Sequence, residues 1–286
     1  MPELPEVETV VRGLKTTLIG RRIESVEVLH KPTVSESPAK LQCLLKKRVV
    51  DVTRRGKYIR VALESQLGMV VHLRMTGWLG VIPARKPHEL NDAYARVRFG
   101  LDGGNELLLF RDIRTFGRVW AGPETTLDAL KSLAKLGPEP LEISAEDFST
   151  RLRSRGGRLK ALLLNQEFLA GVGNIYADEA LYAAKLHPLS SAAKIKPERA
   201  KALHAAIQAV LSSAIAAGGS SIENFRNAEG ESGWFQRELL AYGREGLPCS
   251  RCQTPIKRIV MGQRGTWFCP HCQRATRAKL KMKNEK

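Results

Sequence analysis

Four cysteines near the end of the chain set the tightest condition on its folding. They fall as two C-x2-C pairs, Cys249/Cys252 and Cys269/Cys272, with 16 residues between the pairs. Four thiolates at this spacing can close a tetrahedral structural zinc site. The intervening QTPIKRIVMGQRGTWF has two β-rich halves around Gly262 and Gly265, the pattern of a hairpin. A redox dithiol is the competing reading, but it leaves two pairs around one hairpin unexplained. A site closed by four cysteines keeps no position for substrate, so one zinc ion here serves structure. Arg264 sits near the expected hairpin tip, where a guanidinium can grip a phosphate. Cys43 is left over and reads as an inert thiol.

Charge points to a partner for this segment. The 286 residues carry a formal net charge of +17, and from Cys249 onward ten Lys/Arg face one acid, Glu285. Such an excess favours nucleic acid first and an anionic membrane surface second, with a merely basic enzyme as the plain alternative. Glu3, Glu6 and Glu8 occupy the place where a secretory signal would be basic. The uncharged stretch from Ala202 to Ile222 contains His204, Gln208 and several serines. It reads as a buried or interfacial helix ending at Gly218–Gly219, not as a membrane span. A cytoplasmic protein is expected, with metal-type rather than disulfide cysteines.

The hydrophobic pattern divides the chain. Val7, Val11, Leu14 and Leu18 fall on one helical face, with Pro5 at the expected first helical position and Gly20 at the stop. From Arg22 to about Trp120 short β-like runs follow one another, which implies an antiparallel sheet or sandwich. KPTVSESPAK reads as a polar surface loop. LGPEPL, residues 136–141, is a proline-rich connection, and beyond it the periodicity is helical. The expected class is α+β: an N-terminal helix and antiparallel β-sandwich over 1–135, a linker over 136–141, a helical domain over 142–246, a zinc hairpin over 247–275, and a basic tail over 276–286.

Three further stretches carry chemical possibilities. In GVGNIYADEAL, Gly171 and Gly173 free the backbone, Asn174 suits an N-cap, and Asp178 and Glu179 suit the first turns. This is either an ordinary helix start or a phosphate-binding turn. Arg114, Phe116 and Met75, in FRDIRTFG and HLRMTG, are a cation, a ring and a flexible apolar chain near strand ends. Phe116 and Met75 are either core residues or wedges for a base stack, in which case the Arg114 guanidinium can occupy the gap. Finally, removal of Met1 would expose Pro2 as a secondary amine. An α-amine has a pKa of roughly 7.7–8.0 against about 10.4 for lysine, so much more of it is neutral and nucleophilic near pH 7. Glu3 and Glu6 lie close enough in sequence to move protons for it.

Together these motifs resemble the formamidopyrimidine-DNA glycosylases over nearly the whole chain. The resemblance rests on MPELPEVETV, RRGKY, HLRMTG, DIRTFG, LGPEPL, GVGNIYADEAL and the closing cysteines with GQRGTWFCPHC. It implies excision of oxidised purines, such as 8-oxoguanine and ring-opened purines, from double-stranded DNA. It also implies cleavage of the abasic strand by β,δ-elimination. By resemblance Pro2 is the nucleophile, Glu3 the general acid/base and Glu6 a supporting carboxylate. Lys57 transfers protons in β-elimination, and Arg264 binds phosphate and is linked to δ-elimination. Asn174 and Lys160 contact phosphate or the lesion strand, and Met75, Arg114 and Phe116 fill the hole left by the everted base. The implied fold pairs the β-sandwich with a helix–two-turn–helix domain and zinc hairpin, and the residues 220–236 resemble a lesion-covering loop. A monomer is expected.

The chain departs from the family pattern in places. Arg111 and Ile113 stand where Asn and Pro are common, and Tyr94 where a DNA-contacting histidine is usual. Arg155 replaces a usual lysine, and Arg74 stands where glycine is common. Two rival readings remain: an endonuclease VIII-like enzyme for oxidised pyrimidines, against which Leu4 counts, and a non-enzymatic zinc-ribbon DNA binder, against which Pro2, Glu3 and Lys57 count.

Overall fold

A computed structural model of the chain describes residues 1–84, 92–221 and 225–275. The basic tail expected over 276–286 lies outside the described residues, as do residues 222–224 of the expected loop. The chain divides into two compact units, one of Met1–Leu136 with Ser212–Arg237, the other of Gly137–Leu211 with the chain from Glu238 onward. The change at Leu136/Gly137 falls at the start of LGPEPL, and Ser212–Arg237 groups with the N-terminal unit.

The first unit opens with helix α1 (Leu4–Leu18). Glu3 is its N-cap and Pro5 lies in its first turn, one residue further inside than the expected start. Val7, Val10, Val11, Leu14 and Leu18 are at most 2% exposed. Each such burial contributes about 1.5–3 kcal/mol, which outweighs the few tenths of a kcal/mol that β-branched residues cost a helix. Gly20 follows the C-cap with φ +85°, as a stop glycine should.

Among the described residues eight strands follow: β1 (Ile23–Val28), β2 (Val49–Arg55), β3 (Tyr58–Leu63), β4 (Leu67–His72), β5 (Gly77–Pro83), β6 (Ala95–Leu101), β7 (Glu106–Asp112) and β8 (Arg118–Pro123). They form two four-stranded antiparallel sheets, β1-β6-β7-β5 and β2-β3-β4-β8. Inward residues of both, among them Val61, Val71, Val97 and Phe110, share one core with the apolar face of α1. This is the expected sandwich. The segment expected as a surface loop is partly inside it: Thr33 is fully buried, Val34 is 5% exposed and bridges to Val119, and short 3-10 turns flank the pair. Helices α2 (Glu124–Asp128) and α3 (Lys131–Ala134) close the outer side of β4 and β8 through Leu127 and Leu133.

The second unit is helical, as its periodicity implied: α4 (Ala145–Arg153), α5 (Leu159–Leu164), α6 (Asn174–Ala183) and most of α7 (Pro197–Ala216). The last element among its described residues is the hairpin β9 (Lys257–Met261) and β10 (Arg264–Phe268). Gly262 and Gln263 both take positive φ, +55° and +60°, giving the two-residue turn whose twist suits a hairpin. Among the described residues no helix is long and apolar enough to cross a membrane.

Candidate active site and metal centre

Among its described residues the first unit buries the acidic and basic side chains Glu3, Glu6, Lys57, His72 and Asp112. A β-sandwich core has no need of charges, and each costs free energy unless it is bonded. Two of them lie at the chain start, beside the buried Pro2. The Glu3 side chain accepts from the backbone N–H of Glu6, while Glu6 Oε2 accepts from the Glu3 N–H at 2.8 Å, a reciprocal capping box. Glu6 Oε1 accepts a second bond, 2.7 Å, from the Ser220 N–H. Gly219 takes φ +80°, and a Cβ there would stand 3.0 Å from Glu6 Oε1. Glu3 and Glu6 are thus locked in place by helix capping and, for Glu6, by a turn far along the chain.

Lys57 occupies the second position of a two-residue turn between β2 and β3, after Gly56 at φ +56°, and is 6% exposed. At the end of β4, His72 Nδ1 accepts from the Arg74 N–H at 3.0 Å, and its ring meets Tyr58 edge-on at 4.5 Å. Burial first, then the charges of Arg74 and Lys57, push its pKa down to about 3, so the ring is neutral. This bond shapes the turn that carries Met75. Arg74 itself is exposed at φ +55°, a left-handed conformation that suits glycine better than arginine.

Asp112 joins that turn to the loop bearing Arg114 and Phe116. Its Oδ1 accepts from the Thr76 hydroxyl at 2.5 Å and the Arg114 N–H at 3.2 Å, and its Oδ2 from the Gly117 N–H at 2.6 Å. Thr76 Oγ1 also accepts from the Arg114 N–H, 3.1 Å. On this frame Arg114 and Phe116 are exposed, with the guanidinium 5.0 Å from the ring centroid, and Met75 is half-buried. The core alternative therefore fails for Phe116, which is 49% exposed. Two of the departures meet at Asp92: Arg111, on β7, pairs with it, and its Oδ1 also accepts the Tyr94 N–H at 3.0 Å, with Tyr94 exposed.

In the second unit the four cysteine Sγ atoms all lie within 4.8 Å of one another, with Cys252–Cys272 at 3.4 Å and Cys249–Cys272 at 4.0 Å. A zinc tetrahedron with bonds of about 2.3 Å has edges of about 3.8 Å. The donor set and its spacing fit one zinc ion held by Cys249, Cys252, Cys269 and Cys272, with no ligand position left over. The buried Tyr182 of α6 places its hydroxyl 3.2 Å from Cys249 Sγ and 2.9 Å from Ser250 Oγ. Arg251 lies 4.0 Å above the same ring and donates to the Tyr182 carbonyl at 2.8 Å.

Arg264 is exposed at the start of β10. Asn174 is the first residue of α6, with Gly173 as N-cap, so it sits one position inside the expected cap; its Nδ2 donates to the Gly265 carbonyl at 3.2 Å. Asp178 and Glu179 fall after the first turn of α6 and are buried. Glu179 accepts three backbone N–H bonds, from Leu240, Ala241 and Tyr242. Lys160 is fully buried and bonded inside the unit. Arg155 stands exposed on the loop after α4. Sequence reading missed Thr76, His72, Asp112, Tyr182, Gly219 and Ser220. Except for His72, whose partner Arg74 is two residues away, each has a partner distant in sequence, and only the MTG and GG steps hinted at tight turns.

Residues 1–119 match the formamidopyrimidine-DNA glycosylase N-terminal domain, 136–226 the formamidopyrimidine-DNA glycosylase H2TH domain, and 246–275 the zinc finger found in FPG and IleRS. A formamidopyrimidine-DNA glycosylase of Solibacter usitatus is 45% identical over 276 residues, covering 96% of this chain and 100% of its own. A crystal structure of a Lactococcus lactis FPG mutant with Fapy-dG-containing DNA superposes with TM-score 0.88 at 33% identity, covering 96% of this chain and 100% of that one. The Lactococcus lactis Fpg complex with abasic-site DNA gives 0.87 at 33% identity, over 95% and 99%. With matched domains in this order and relatives alike over their full length, the chain belongs to the formamidopyrimidine-DNA glycosylases, the DNA glycosylase and abasic-site lyase enzymes of base-excision repair.

Proposed function

We propose that the chain excises oxidised purines from duplex DNA through the amine of Pro2. The carrying observation is the pair of buried, interlocked carboxylates Glu3 and Glu6 beside a buried Pro2. Once Met1 is removed, the neutral amine attacks C1′ of the everted nucleotide. The bond from C1′ to the base breaks, and the sugar opens to an iminium on Pro2. Glu3 moves the protons this requires, while Glu6 keeps the helix start and the Gly219–Ser220 turn in register. Lys57 takes the proton whose loss drives β-elimination. Met75, Arg114 and Phe116 fill the vacated stack, offsetting the few kcal/mol that eversion costs. Arg264, Asn174, Arg155 and Tyr94 hold phosphates, and Arg264 assists δ-elimination. The zinc ion keeps the hairpin folded and takes no part in these steps. Such an enzyme works on chromosomal DNA in the cytoplasm, as a monomer.

The relatives' names and the lesions in the solved neighbours support the purine branch. The test is product analysis on an 8-oxoguanine:C duplex, with and without borohydride. Borohydride should trap a covalent adduct, and a tag before Pro2 should abolish both trapping and cleavage. Trapping that survives the tag would remove Pro2 as nucleophile. Preferential excision of thymine glycol would move the enzyme to the pyrimidine branch.

A further inference from the structure

Lys160 has the chemistry of a DNA contact and the surroundings of a core residue. It is 0% exposed. Its Nζ lies 2.7 Å from Asp178 Oδ1 and 2.9 Å from Oδ2, and it donates to the Gly265 carbonyl and to Thr266 Oγ1, each at 2.9 Å. An ammonium has three N–H donors. A carboxylate, a carbonyl and a hydroxyl engage all three. To reach a phosphate, Nζ would have to break a fully buried ion pair with Asp178, which is strongly destabilising.

Every one of these bonds ends on the zinc hairpin or on the group that holds it. The Gly265 carbonyl also accepts from Asn174 Nδ2, at 3.2 Å, and the Trp267 N–H donates to Asp178 Oδ2, at 3.1 Å. Gly265 and Trp267 lie two apart on β10, so these groups lie along one edge of the strand, the edge that β9 leaves open. Residues 265–267 are thereby fastened to α5 and α6, immediately after the exposed Arg264.

We propose that Lys160 and Asp178 are positioning residues for Arg264: the buried pair clamps the open edge of β10 and fixes where the guanidinium stands, and Lys160 neutralises no phosphate itself. The inference rests on the reading of Arg264 as a phosphate contact only for its effect on DNA. The clamp is measurable without DNA.

The test uses the zinc-loaded full chain carrying Lys160→Met with Asp178→Leu, which removes both charges together. Amide hydrogen exchange at Arg264 and Thr266 should speed by about tenfold, the scale set by one charge-assisted hydrogen bond, with zinc still bound. Unchanged exchange overturns the clamp. The salt dependence of duplex binding is then compared among the pair variant, Arg264→Ala, and the combination. The combination should match Arg264→Ala alone. A further fall of about 0.9 in the log–log salt slope beyond Arg264→Ala would mean that Lys160 neutralises its own phosphate and overturns the proposal. If Arg264→Ala leaves binding unaltered, the Arg264 assignment fails while exchange still decides the clamp. Should the pair variant not fold, Lys160→Met with Asp178→Asn, which also removes both charges, carries the same comparisons.

Discussion

At the scale of single residues, the buried polar groups do the organising. His72 is the clearest case. Its folded form resists protonation down to about pH 3, whereas the unfolded imidazole accepts a proton near 6.5. Stability from this group is therefore present above pH 6.5 and is lost as pH falls toward 3, by up to about 1.4 kcal/mol per pH unit. Proton NMR should find the His72 ring unprotonated at pH 5; a titration midpoint near 6 would contradict the buried, turn-supporting role. Tyr182 makes a second case. Tyr182→Phe keeps the ring under Arg251 but removes the hydroxyl from Cys249 Sγ, and zinc affinity should fall by about tenfold or more. Competition with a chelator measures it, and equal affinities would show that the phenol lends the thiolate nothing. The four ligands were legible because metal spacing is local. Tyr182 was not, because nothing in YADEALYAA distinguishes a phenol facing sulfur from one facing a core.

At the scale of elements, each motif turned out to be a piece of backbone geometry. RRGKY is a two-residue turn, HLRMTG a turn held by His72, and GQRG a hairpin tip. Alternation and turn chemistry made the strands readable, and α1 followed from its 3–4 spacing. The burial of Thr33 and Val34 was not readable, since a polar stretch gives no sign that it will bridge to β8. Nor did the sequence show that Asp112 would bind two loops together, because its partners Thr76 and Gly117 lie on different elements. The Gly219 turn is the element-level test. Gly219→Ala places a Cβ in the left-handed region against Glu6, and should cost about 1–3 kcal/mol in denaturant unfolding. Full stability in that variant would show that the turn does not hold Glu6.

At the scale of the molecule, the chain leaves the first unit at Leu136, returns at Ser212 and leaves again after Arg237. The returning segment is not an accessory. Ala228 lies in the sandwich core with Phe225 packed against it, the Asn227 carbonyl accepts from Trp78 Nε1 at 2.7 Å, and Ser220 satisfies Glu6. A chain ending at Leu136 should bind a hydrophobic dye and melt without a sharp transition, and adding residues 212–237 through a linker should restore cooperativity. A cooperative melt of the short chain would show the returning segment to be dispensable. This layout sets an order on synthesis. Glu6 is synthesised more than two hundred residues before Ser220, the residue whose N–H it accepts. A nascent chain long enough to form α1 thus still lacks the turn that seats Glu6, and the start of the first helix is completed by a segment made much later.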